Sequence, residues 1–300
     1  MPYRNLLIAG AARLSCKNGQ LVVEGTQTLS FPMENISAVL LENRQSSITV
    51  AALSALAQNG ATVYLCDEKH LPCAVQLPFA AHSRQLEVMR AQQEMTQAAC
   101  DRLWKQIVCA KIGNQAECLS LCGKEKEAIF LRARVRMVMT GDKSNVEATA
   151  AAFYFPTLFG EDFTRGDELD GRNAALNYGY AILRGYMARC IAVYGLAPWQ
   201  GVHHCSGVNS FNLADDMMEP YRPVVDLFTA TNVDAECELT PHLKARLLDL
   251  LNADILSGNQ HHSVAYAMER QVQSLRSCCD KQKDALLLPG LLATQQHRYE

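Results

Sequence analysis

Hydrophobic spacing changes period near residue 85, and that change makes this an α+β chain in two parts. Upstream, apolar residues fall in short runs at 6–8, 21–23, 36–41, 61–66 and 73–77, separated by turn residues. Runs of that length between turn residues read as strands. Asn18-Gly19 between the first two runs is a strong hairpin cue. Ser47 is placed to cap a short helix over 50–57 that ends near Asn59-Gly60, and Pro78 stops the last run at a sheet edge. Downstream, apolar residues recur every three or four positions, the helical period. That pattern predicts helices over 86–109, 126–139, 145–155, 172–194, 211–231, 241–251 and 263–278. The expected organisation is a small β-rich N-terminal domain over 1–79, a linker over 80–85, and a larger all-α domain over 86–300. Runs 36–41 and 61–66 are apolar on both faces, more than a sheet of about eighty residues covers by itself. Packing on the helical domain, or on a two-fold mate in a homodimer through this N-terminal domain, would cover them.

Three hundred residues, 49% of them hydrophobic, suffice for a real core. No apolar run reaches membrane-spanning length. The short N-terminal run breaks at Gly10 and Arg13, which is not a signal-peptide pattern. Twelve cysteines include no C-x-x-C, and Cys118/Cys122 and Cys278/Cys279 lack a companion pair at zinc spacing. The expectation is a reduced, cytoplasmic protein. A net charge of −3 argues against a nucleic-acid partner, because such domains are usually basic. Local basic groups argue the other way: Arg132, Arg134 and Arg136 on one element, Arg84 and Arg90 upstream, and Lys105 with Lys111 on a helical surface. Arg84, Arg132, Arg134 and Arg136 are candidate phosphate contacts, with a plainly solvated face as the competing reading.

The chemistry concentrates in residues 203–223, HHCSGVNSFNLADDMMEPYRP. Asn212, Asp216 and Glu219 are spaced to share one helix face, while Leu213 and Met217 point elsewhere and can pack. A row of acids near a core is costly unless a cation neutralises it. Carboxylates with a loop histidine and no thiolate suit Mn²⁺ or Mg²⁺ better than zinc. The plain alternative is an acid-capped helix beside a polar loop.

The string from His204 to Pro223 resembles the CRISPR-associated adaptation integrase (CRISPR-associated protein 1 family), in the form that accompanies type II systems. Two further blocks are similar to the family in order and spacing: Asn145-Val146-Glu147 running on to FYFPTLFG, and NAALNYGYAILRG at 173–185. One departure is Ala148, where the family usually has glycine; alanine favours the helix. The resemblance implies a metal-dependent DNA endonuclease and integrase, in which a 3′-hydroxyl of new spacer DNA attacks the backbone of a CRISPR repeat. It implies Glu147, His204 and Glu219 as catalytic metal ligands for Mn²⁺ or Mg²⁺. Asp216, His203 and Arg222 are secondary candidates: an extra acid, a packing histidine, and a partner for a carboxylate or phosphate. Removing Glu219 is expected to relieve repulsion with Asp216 and so to add to the stability of the fold. Implied partners are protospacer and repeat DNA, a second copy, a small companion adaptation protein in a heterohexamer, and other type II CRISPR proteins. Two rival readings stay open: a helical metal-dependent hydrolase or lyase of a small substrate, and a non-catalytic DNA-binding scaffold relative.

Overall fold

The computed structural model describes residues 2–77 and 82–298. Pro78 and part of the expected linker at 80–85 lie outside the described residues. The N-terminal part holds β1 (Arg4–Ile8), β2 (Arg13–Lys17), β3 (Gln20–Glu24), β4 (Thr28–Pro32), β5 (Ile36–Leu41), β6 (Ser47–Ile48), α1 (Val50–Gln58), β7 (Thr62–Cys66) and β8 (Pro72–Gln76). One four-stranded sheet has the order β4-β3-β2-β6, and the other the order β1-β5-β7-β8. The hairpin turns at Asn18 and Gly19, both at positive φ, where the cue lies. Its first strand, however, is β2. The run at 6–8 belongs to β1, which pairs parallel with β5 in the other sheet. Ser47 lies in β6, and Thr49 caps α1 instead, accepting from the Ala52 amide at 3.2 Å.

The helical part holds α2 (Gln85–Gln93), α3 (Gln97–Leu121), α4 (Glu125–Val135), α5 (Val146–Phe159), α6 (Gly171–Val193), α7 (Asn212–Met218), α8 (Arg222–Asn232) and α9 (Pro241–Asp249). After α9 come β9 (Asp254–Ser257), β10 (Gln260–Ser263), α10 (Val264–Cys279) and β11 (Pro289–Gly290). The expected helix over 86–109 is two helices, because Thr96 caps a new start by accepting from the Ala99 amide. The expected helix over 211–231 is also two, parted by a 3-10 turn at Glu219–Tyr221 that holds Pro220. Strands β9, β10 and β11 form a small sheet inside a region read from sequence as helical.

The sheet containing β5 is covered on both sides within the chain. Val39 and Val63 face Leu14, Leu21 and Leu56 of the N-terminal core, whereas Ala38, Leu40 and Tyr64 join the core of the helices. Tyr64 donates to the Ile182 carbonyl of α6 at 2.8 Å and lies against Gly185, where an added Cβ would come within 2.2 Å of its ring. Glu42, just after β5, pairs with Lys244 of α9 at 2.5 Å, both side chains 7% exposed. The helices thus supply one of the two covers expected for the apolar strands.

Candidate active site

Four segments meet at the site: the start of α5, the middle of α3, the 3-10 turn after α7, and the loop leading into α7. Glu147 is the second residue of α5. That helix start is held by buried Asp142, whose carboxylate accepts the Val146 amide at 2.9 Å and the Glu147 amide at 3.0 Å. Glu219 opens the 3-10 turn, and Asn114 of α3 fixes that turn by donating to the Pro220 carbonyl at 2.7 Å.

Between the two glutamates lies the ammonium of Lys111. Its Nζ is 2.6 Å from Glu147 Oε1 and 2.5 Å from Glu219 Oε2, and the lysine side chain is only 12% exposed. Arg222 Nε donates to the other Glu219 oxygen at 2.9 Å, while its guanidinium lies 4.5 Å from the Tyr180 ring centre. Burial pushes the Glu219 carboxyl up, but Lys111 and Arg222 outweigh it and hold it below the usual value. Burial likewise pulls Lys111 down, and the two glutamates more than restore its charge. Glu219 Oε2 is buried, and the Lys111 ammonium 2.5 Å away is the group that balances its charge.

Beside this cluster stands a second buried acid. Asp216 is fully buried, and its Oδ2 accepts the Val202 amide at 2.7 Å and the His203 amide at 2.9 Å. Its Oδ1 accepts the His204 amide at 3.2 Å and lies 2.5 Å from His204 Nδ1. A carboxylate can only accept, so Nδ1 carries the hydrogen and the Nε2 lone pair is left for another partner. The hydrogen bond to Asp216 raises the His204 pKa above its ordinary value against burial, and the charges of Glu219 and Glu147 add to the effect. Gly201 makes the loop possible: a Cβ there would sit 2.3 Å from the His204 carbonyl and 2.7 Å from Asp216 Oδ2.

The acid row expected on one helix face is split. Asn212 donates to the Trp199 and Ser206 carbonyls and Asp216 latches the loop, whereas Glu219 leaves α7 and turns to α3. Leu213 and Met217 are buried as expected. His203 stacks its ring flat on Trp104 at 4.2 Å between centres and meets the His204 ring edge-on at 5.6 Å. Arg222 binds a carboxylate of its own turn. Arg132 already pairs with Glu117 and Glu125, Arg134 lies over Phe130, Arg136 is exposed, and Arg84 precedes α2. Lys111 is a correction. Six residues from Lys105 on a helix is about 120° around its axis, so Lys105 is exposed while Lys111 falls on the apolar stripe with Trp104 and Asn114. The sequence reading missed Lys111, Asp142, Asn114 and Trp104. A lysine and an asparagine on the buried stripe of α3 were the available signal.

Among the described residues no three His, Cys, Asp or Glu side chains stand close enough to hold a metal ion together. The donor chemistry nonetheless fits one. Two hard carboxylate oxygens already converge on a single cation, the Lys111 ammonium, next to an imidazole that in its neutral form, with Nδ1–H held by Asp216, offers its outer nitrogen as a ligand.

The arrangement of a strand-rich lobe on a helical lobe is similar to that of solved structures. A casposase bound to its integration product superposes with a TM-score of 0.77 at 19% identity, over 94% of this chain and 92% of that one. A Cas6-RT-Cas1–Cas2 complex superposes with a TM-score of 0.70 at 19% identity, over 95% of this chain and 36% of that longer one. In sequence, residues 6–236 match the family described as CRISPR associated protein Cas1. The CRISPR-associated endonuclease Cas1 of Neisseria meningitidis is 40% identical over the whole of both chains. The chain belongs to the Cas1 family.

Proposed function

We propose that this chain is a divalent-metal-dependent DNA endonuclease and integrase that inserts new spacers into a CRISPR array. The observation that carries the reading is the meeting of Glu147 and Glu219 around one cation position, beside an imidazole oriented by a buried carboxylate. Glu147, Glu219 and His204 Nε2 would hold Mn²⁺ or Mg²⁺. Such an ion, when bound, polarises a phosphoryl oxygen and lowers the pKa of an attacking or leaving oxygen. The chain's own residues do the positioning. Asp142 fixes the helix start that presents Glu147, and Asn114 fixes the turn that presents Glu219. Asp216 sets the His204 tautomer, and Arg222 steers Glu219 through its second oxygen.

A CRISPR-repeat strand and the 3′-hydroxyl end of a protospacer are the proposed substrates, with a small Cas2-like companion protein and a second copy of this chain as partners. The name of one structural neighbour, a Cas1–Cas2 assembly, supports the companion. An in vitro integration assay tests the reading, using array plasmid, protospacer duplex and purified companion. His204→Ala and Glu219→Ala are expected to abolish integration and Mn²⁺-dependent nicking while leaving DNA binding in place, because binding rests on phosphate contacts elsewhere. Wild-type integration by either variant would overturn it.

A further inference from the structure

We infer that Lys111 is a resident counter-cation which the catalytic metal must displace, so that metal binding at this site is a cation exchange. The inference rests on the reading that Glu147 and Glu219 are metal ligands and adds the chain's own competitor for them.

Lys111 Nζ touches both acids at once, 2.6 Å from Glu147 and 2.5 Å from Glu219, so it stands where an ion bridging the two carboxylates would stand. A divalent ion needs those same oxygens at about 2.0–2.2 Å. An ammonium within contact distance of them would then lie against two positive charges in a partly desolvated site, and that repulsion outweighs what the lysine gains from the shared oxygens. The two cations therefore alternate. The arrangement also explains why a lysine is tolerated on the buried stripe of α3. Without it, the carboxylate of Glu219, 7% exposed, would face that of Glu147 with only Arg222 to balance the pair. A route for exchange exists, because solvent reaches the cluster from the Glu147 side, 23% exposed, and past His204, 46% exposed.

Exchange has a measurable cost and a measurable footprint. With the tethered competitor removed, Mn²⁺ meets two carboxylates that share Arg222, held by Glu219, as their remaining cationic partner. In chelator-stripped, full-length protein, Mn²⁺ binding followed by the EPR signal of the free ion is expected to be about tenfold or more tighter in Lys111→Met than in wild type. The same variant is expected to gain more in Tm from saturating Mn²⁺ than wild type does. The footprint is read in the unmodified protein, which removes any doubt about folding of the variant. In a brief acetic anhydride pulse analysed by peptide mass spectrometry, Lys111 is expected to be protected without metal and acetylated with saturating Mn²⁺. Unchanged or weaker Mn²⁺ binding by Lys111→Met, or continued protection of Lys111 at saturation, would overturn the exchange. A Glu219→Gln control separates this failure from that of the reading beneath it. If that variant still binds Mn²⁺ as wild type does, the ligand assignment falls and the exchange falls with it.

Discussion

Replacing Asp216 with asparagine changes one atom of a buried side chain and is expected to disarm the site without unfolding it. Asp216 Oδ2 accepts two backbone amides, at 2.7 and 2.9 Å, so the asparagine oxygen takes that place. The new amide group then faces His204 Nδ1 from the Oδ1 position, where the carboxylate lay 2.5 Å away. Only an unprotonated Nδ1 can accept that donor, so the imidazole hydrogen moves to Nε2 and the lone pair offered to a metal is lost. The same amide group confronts the His204 backbone N–H, which loses its nearer acceptor at 3.2 Å and keeps the oxygen at 3.4 Å. One lost charge-assisted bond costs about 1–3 kcal/mol of stability, a modest shift in denaturation midpoint. Loss of an orienting partner to a metal-binding histidine typically weakens affinity about 10- to 100-fold. ¹⁵N NMR of the histidine ring reads the tautomer, and Mn²⁺ titration by EPR reads the affinity. An unchanged tautomer with unchanged Mn²⁺ binding in Asp216→Asn would refute the reasoning.

Further expectations follow from contacts elsewhere. Glu219→Ala should destabilise the fold by about 3–5 kcal/mol in urea denaturation, because it strips buried Lys111 and Arg222 of their shared acid; the stabilisation expected from sequence assumed a repulsion with Asp216 that these cations outweigh. Burial raises Asp226 from 3.8 to about 6, against the hydrogen bonds of Tyr180 and Tyr154. The folded state therefore holds a proton that the unfolded chain has released, so this group's contribution falls as pH rises from about 4 to 6 and is flat above. The difference reaches about 3 kcal/mol, and Asp226→Asn should remove that pH dependence in denaturation series spanning about pH 4 to 7. Gly185→Ala should cost about 1–3 kcal/mol, since its Cβ would meet the Tyr64 ring that docks the strands on α6; an unchanged Tm would contradict that packing.

The elements with strong local signals were legible before the structure. Strand 36–41 has the observed bounds, and the helix expected over 172–194 is α6, Gly171–Val193, because long apolar patterns report burial directly. Breaks inside good helix-forming sequence were not. Nothing but Thr96 marks the gap between α2 and α3, and Pro220 alone warned that Glu219 would leave its helix. The hairpin of β9 and β10 had a usable cue in Gly258-Asn259, both at positive φ, but its strands are four residues each and one reads QHHS. At the site, the acids and His204 stood out because they share one short string with a recognisable spacing. Lys111 did not, because a lysine is expected on a surface, and only the helical phase of α3 shows that this one is turned inward.

The most direct test of the central claim is anomalous diffraction from crystals loaded with Mn²⁺. The expected result is one strong peak bounded by Glu147, Glu219 and His204 Nε2, with the Lys111 side chain moved off both carboxylates. A peak bounded by other residues, with Lys111 still seated between Glu147 and Glu219, would contradict it.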